Sequence, residues 1–457
     1  MFKILRNGAV TVLMVLMLSM IAEAQQTTTA QAAKRPEKTV AELEQLVSEA
    51  YQEKNWVRFY SNSMKLNKQR PFVPAYMINI VLASAALDQK RTAYHYMLKM
   101  QQQGLSYDFN QYEETLPIRD TEAYEYINDL MVKAGDPSGE GATFLSLDLK
   151  PFDLGDITWD GSRERFLVGT RADGKLLAVD DSGKSDVLLK ADDENGLWSI
   201  DGIAVDTKKN RLWIASSATP AFTAFVPTDA GHGALFEFEL DSLNLVERYN
   251  LAVDGLRHEL GGVALTTGGD VYVVDRATPI IYRKAPSGKK LEVFAGGPQL
   301  VALTDIAVTP DNSRVFVADA VLGILLIDPA AQRSAMLAGP ENLNLSGIYG
   351  IQFSGEELVI TQSGLSPERI MRLQMNAEGT AVETVSPMAS GLEGFDTPGV
   401  GTIRGDSLYY FANHGSQDAE ADLLLMATPL DAGNEVKAPD VRQFEEALRQ
   451  KAKAGEQ

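Results

Sequence analysis

Six times along the chain a short apolar run recurs around one pattern, and no other feature restricts the fold as strongly. The runs are Gly155-Asp156-Ile157-Thr158-Trp159, Asp201-Gly202-Ile203-Ala204-Val205, Gly261-Gly262-Val263-Ala264-Leu265, Thr304-Asp305-Ile306-Ala307-Val308, Tyr349-Gly350-Ile351-Gln352-Phe353 and Pro398-Gly399-Val400-Gly401-Thr402. Their central branched residues stand at 157, 203, 263, 306, 351 and 400, which is a blade-length period of 43 to 60 residues. A polar or glycine turn and a second apolar run follow each one, at 165–169, 211–215, 270–274, 314–318, 357–361 and 407–412, and third runs follow at 176–180, 234–240 and 324–328. Such units fit four-stranded antiparallel blades, and six of them around an axis remove the exposed edges an open sheet would leave. The expected class is therefore mainly β, a six-bladed β-propeller over 142–430. Residues 142–147, ahead of the first blade, are placed to supply the outer strand of the last one.

The rest of the chain reads differently. At 457 residues a single core is not expected, since one core stops growing near ~250–300 residues. Lys3 and Arg6, the apolar run Ala9 to Ile21 and the small-x-small site Ala22-Glu23-Ala24 predict a signal peptide over 1–24. The run is shorter than the ~20 residues of a membrane span, so no span is expected after cleavage. A flexible leader, 25–38, follows. From 39 to 134 the period becomes helical: Val40, Leu43, Leu46, Val47 and Ala50 form one stripe and Trp56, Phe59, Tyr60 and Met64 another. Tyr76, Ile80, Ala83 and Leu87, then Ala93, Tyr94, Met97 and Leu98, predict a second helix pair. The helix lengths, short turns and small Ala83 and Ala93 resemble a degenerate tetratricopeptide array, which implies a groove for a partner; a helical cap packed on the remainder is the other reading. Val441, Phe444, Ala447 and Leu448 predict a C-terminal helix over 440–453.

Lys+Arg of 42 against Asp+Glu of 62 gives a net charge of −20, which repels phosphate backbones and excludes nucleic acid as a partner. There is no cysteine, so thiol catalysis, thiolate metal sites and disulfides are excluded. Export without cysteine suits a periplasmic or secreted protein stabilised by its core alone.

The segments Asp201-Gly202-Ile203-Ala204-Val205-Asp206 with Asn210-Arg211-Leu212-Trp213-Ile214-Ala215, and Thr304-Asp305-Ile306-Ala307-Val308-Thr309-Pro310-Asp311 with Val315-Phe316-Val317-Ala318-Asp319, resemble the gluconolactonase/regucalcin-like six-bladed propellers, and are similar also to NHL-repeat propellers. The resemblance implies a divalent cation on the axis, calcium or zinc, that activates water for lactone hydrolysis. It places the ligands just before the glycine of each innermost strand, here Gly155, Asp201, Gly261, Thr304, Tyr349 and Pro398. Only Asp201 is a strong ligand, with Asp156 and Asp305 one position on as helpers. These three are the candidate metal residues, or else turn residues bonding backbone amides.

Residues just beyond the second strands open on the same mouth: Arg171, Ser216, Asp275, Arg276, Asp319, Gln362 and Asn413 are the candidate ligand-binding set. His414 is the candidate general acid/base and His258 its competitor. The long insertion 216–233 is either a lid or a surface loop. No Gly-x-Ser-x-Gly elbow, phosphate loop or His-Glu-x-x-His helix is present. The leading expectation is an exported propeller that binds a small molecule or partner at its axial funnel with an incomplete metal site. A metal-dependent lactone or ester hydrolase and a protein scaffold are the alternatives.

Overall fold

A computed structural model describes residues 38–149, 154–416 and 421–433. The expected signal peptide, most of the leader and the C-terminal helix lie outside the described residues. No described helix is long and apolar enough to cross a membrane.

The strands form six antiparallel sheets, the blades of a six-bladed propeller. Blade I runs Leu154–Asp160, Arg165–Thr170, Lys175–Val179, Ser185–Lys190 and blade II Ser199–Asp206, Arg211–Ser217, Gly233–Glu239, Leu245–Asn250. Blade III runs Leu260–Leu265, Val271–Asp275, Ile280–Lys284, Glu292–Gly296 and blade IV Leu303–Val308, Val315–Asp319, Gly323–Asp328, Arg333–Met336. Blade V runs Ile348–Ser354, Glu357–Gln362, Arg369–Met375, Val382–Ser390, and blade VI Gly401–Arg404, Ser407–Phe411, Leu423–Pro429. The fourth strand of blade VI is Ala142–Leu147, which pairs with Leu423–Pro429 and closes the ring. Blade V gains a fifth strand: Ser138–Gly139 pairs with Ala389 and Ser390. Gly139 has φ 86° and lies directly on the Met388 backbone, so the position has no room for a side chain.

Each neighbouring pair of blades seals its own apolar core. Alternate residues of one second strand serve opposite interfaces: Ile214 packs toward blade I, Trp213 and Ala215 toward blade III. Both faces are buried, which is why these strands read as unbroken apolar runs rather than as alternating ones.

Among the described residues five α-helices precede the ring: α1 (Val40–Gln52), α2 (Trp56–Gln69), α3 (Pro74–Ala86), α4 (Lys90–Gln102) and α5 (Glu122–Lys133). Thr39 and Glu42 form a capping box on α1, Pro74 opens α3, and Lys54 and Asp88 take left-handed conformations in the tight turns of the two hairpins. Ala83 and Ala93 are fully buried, and α3 is covered on most sides as the central helix of this layer. The helices dock on the loops of blades IV and V. Arg369 Nη1 donates to Gln103 O (2.7 Å) and its Nε to Gln362 Oε1 (2.8 Å), while Asn344 Nδ2 donates to Phe72 O (3.1 Å) and Leu365 enters the helical core. Gln362 ends a second strand and Arg369 begins a third, so the helices stand on the face where the inner strands begin.

Candidate functional site

The first five inner strands each carry a register shift at the same point, spanning Gly155, Asp201, Gly261 with Gly262, Thr304 and Tyr349. A bulge leaves one residue unpaired and re-aims it. The axial positions of the repeat are therefore the ones released from the ladder.

The following position alternates in sets of three: Asp156, Gly202, Gly262, then Asp305, Gly350, Gly399. Glycine is needed where inner strands nearly touch, because a Cβ on Gly202 would sit 2.7 Å from Gly261 O and one on Gly350 3.0 Å from Val400 Cα. In blades I and IV, on opposite sides of the ring, a carboxylate reaches the next blade instead. Ile157 N–H and Ile203 N–H donate to Asp156 (2.8 and 2.7 Å), and Ile306 N–H and Ile351 N–H to Asp305 (2.8 and 2.9 Å). Burial, reinforced by the charge of Asp305, pushes the Asp156 carboxyl up to about 8. Burial also raises Asp305, to about 6, against the pull of its two backbone donors.

A cavity of about 120 Å³ opens on the axis, lined by Arg171, Glu259, Arg276, Thr304, Tyr349 and His414 together with Asp156 and apolar Leu154, Val400 and Phe411. Fully buried Asp201 forms ion pairs with Arg171, whose Nε is 2.9 Å from Oδ1, and with Arg276, whose Nη1 is 3.7 Å from the same oxygen. Arg171 also pairs with Glu259, and Arg276 donates twice to Thr304 O (3.2 and 3.1 Å). Arg276 lies against Gly261, where a Cβ would meet its guanidinium carbon at 2.5 Å. His414 Nδ1 bonds Thr397 O (2.9 Å); a carbonyl only accepts, so Nδ1 carries a proton, and of the two neutral tautomers the contact selects the one with its lone pair at Nε2. Its ring packs edge-on against Tyr349, centroids 5.5 Å apart.

Of the residues singled out from sequence, Arg171, Arg276, His414 and Asp156 thus line one cavity, with Asp201 just behind. The others are placed elsewhere and share a task. Ser216 Oγ accepts Trp198 N–H (2.8 Å), and Asp275 accepts N–H groups of Glu259, Ala277 and Thr278. Asp319 accepts those of Val301, Ala302, Val321 and Leu322. Gln362 donates to Asn344 O and Ser346 O, and Asn413 Oδ1 accepts Leu424 N–H. Each ties a mouth loop to its blade. His258 is buried between Asp275 (2.6 Å) and Asp254 (3.2 Å), off the cavity wall. The insertion after Ser217 folds onto blade I, where Thr223 N–H donates to Ala172 O (2.7 Å), and its Thr219 Oγ1 lies 3.2 Å from Ser199 Oγ of the blade II inner strand, which donates to Arg171 O (2.9 Å). It buttresses the Arg171 loop and supplies no wall of the cavity.

Glu259, Thr304 and Tyr349 are wall residues outside the candidate set. Glu259 was visible as the acid beside His258, but only the fold turns it toward Arg171.

A divalent cation does not fit this arrangement. Calcium needs six to eight convergent oxygens. Here each oxygen of Asp156 and of Asp305 already accepts a short backbone bond, and guanidinium groups face Asp201. Among the described residues no group of three or more His, Asp or Glu side chains is placed to hold a metal.

No protein-family model matches the chain, and no curated protein matches it. Solved structures similar to it include a luciferin-regenerating enzyme (TM-score 0.46, 12% identity, 65% of this chain and 97% of that one). A putative gluconolactonase is also similar (TM-score 0.46, 10% identity, 66% and 94%), as is the PQQ-bound aldose sugar dehydrogenase of Streptomyces coelicolor (TM-score 0.44, 13% identity, 64% and 99%).

Proposed function

We propose that this chain is an exported, gluconolactonase-like propeller that binds a small polar molecule in its axial cavity, without the lactonase metal set. One observation carries the reading: donors, acceptors and aromatic surface from several blades converge on one partly enclosed space. Arg171, Arg276 and Glu259 supply alternating charge, His414 Nε2 an acceptor, and Tyr349 a flat apolar face. The charges balance in pairs, which suits a neutral ligand carrying both hydroxyl and carbonyl groups better than a strong anion. The helices would add a wall beside the mouth through their seat on blades IV and V.

A thermal-shift panel of neutral polyols, hydroxy acids and amino acids tests this. The expected result is a compound that raises the melting temperature of the parent chain and loses its effect in Arg276→Ala and His414→Ala. A stabilising compound unaffected by both substitutions would move the site off the axis, and no stabilising compound in any class would remove the reading. N-terminal sequencing of the exported chain tests the leader: the expected mature start is Gln25, and an intact Met1 on the exported protein overturns it.

A further inference from the structure

The gluconolactonase-like propellers are expected to hold a cation on the axis, and the residues of this chain do not fit one. Positive charge is nevertheless present there. Arg171 comes from the loop after the second strand of blade I, Asp201 from the inner strand of blade II, Arg276 from blade III and Thr304 from blade IV. Arg171 Nε is 2.9 Å and Arg276 Nη1 3.7 Å from the same oxygen, Asp201 Oδ1. Arg276 also holds the Thr304 carbonyl, which the bulge of blade IV has released from the ladder. The network thus joins the inner ends of four blades.

We propose that Arg171 and Arg276 are the built-in cation of this axis, doing for Asp201 and the inner strands what a bound metal would do, and that they keep a divalent ion out. Three physical facts carry this. A guanidinium stays protonated at any physiological pH, so the positive charge is permanent. Two such groups beside the one strong ligand repel a further dication over a few ångströms in a partly desolvated site. Finally, Gly261 is the seat that lets Arg276 approach, since any side chain there would strike the guanidinium. Without the two arginines, the Asp201 and Glu259 carboxylates and the Thr304 carbonyl would lose their cationic partners, leaving up to five hard oxygens beside the cavity, which waters would complete to the shell that calcium or manganese takes.

The test is metal binding by the full chain, read by calorimetry and by melting temperature in calcium or manganese chloride. The parent protein, purified without chelators, is expected to carry no stoichiometric metal and to show no calcium-dependent stabilisation. Arg171→Ala/Arg276→Ala is expected to bind one ion per chain, to gain melting temperature with calcium, and to lose both properties when Asp201→Asn is added. Stoichiometric metal in the parent that disappears in Asp201→Asn overturns the proposal, as does a folded double variant that binds none. If the double variant does not fold, Arg276→Gln decides: it keeps the Arg171–Asp201 pair and is expected to bind calcium at least tenfold more tightly than the parent, whereas equal affinity overturns the proposal. The readout is metal alone, so a failed ligand screen and a failed metal test are told apart.

Discussion

The carboxyl of Asp156 shows how one residue can hold two strands and a pH dependence together. Its folded pKa, raised by burial to about 8, exceeds the ordinary 3.8. The folded state therefore binds the proton more tightly than the unfolded chain; the stabilisation is complete below the unfolded value and is lost as pH rises through the folded one. Asp305 acts in the same direction but only as far as about 6. Urea midpoints of the parent are expected to carry a decline between pH 4 and 8 that Asp156→Asn lacks above pH 6, so the gap between the two curves narrows there. At low pH the variant should be weaker by about 1–3 kcal/mol, because the amide cannot serve both Ile157 and Ile203 N–H groups. Parallel curves would show that Asp156 does not titrate in this range. Gly202 gives a second test at this scale. Gly202→Ala presses a methyl onto Gly261 O, and a loss of ~1–3 kcal/mol in urea unfolding is expected.

At the scale of elements, the unbroken apolar runs and the polar turns between them already announced strands in sequence. The second strand of blade IV, expected at 314–318, forms at Val315–Asp319. What the runs could not announce was direction. Phe316 faces blade V and Val317 faces blade III, and both are buried, so period-2 alternation was absent. Phe316→Ala should cost about 3–5 kcal/mol through the cavity it leaves between blades IV and V. A loss below 1 kcal/mol in chemical unfolding would show that this core collapses around the gap. The bulges were equally silent, since a register shift needs a partner strand to be defined at all. The closing strand Ala142–Leu147 belongs to this scale as well: a chain starting at residue 148 leaves the strand Leu423–Pro429 with an open edge. Size-exclusion chromatography should find it in oligomers, and a stable monomer would show that closure is dispensable.

In the whole molecule the helical layer and the ring meet around Arg369, a buried guanidinium that bonds to Gln103 O, Gly104 O and Gln362 Oε1. Burial lowers its pKa only to about 10, so it stays charged at neutral pH. Removing it strands acceptors from both layers. Arg369→Ala is expected to destabilise the protein by ~3–5 kcal/mol and to open residues 135–141, between α5 and the closing strand Ala142–Leu147, to protease. Unchanged stability together with unchanged digestion would mean that the apolar contacts of Phe72 and Leu365 suffice for docking. The docking also bears on the tetratricopeptide resemblance: the hairpins are present, and the loops of blades IV and V occupy one side of them.

What the sequence by itself determined is the number of blades, the first two strands of each and the placement of the axial positions, because each depends on local period, turn chemistry and glycine. The strand that closes the ring was legible too, as a spare apolar run ahead of the first blade. The identity of the site was decided only by tertiary structure. Asp201, Asp275 and Asp319 look alike as strand-end acids, yet the fold ties Asp275 and Asp319 to backbone amides and gives Asp201 to two arginines. Arg171 and Arg276 lie 105 positions apart in the chain. They meet one carboxylate because three consecutive blades converge on an axis, and convergence is a property of the closed ring that no local stretch of residues contains.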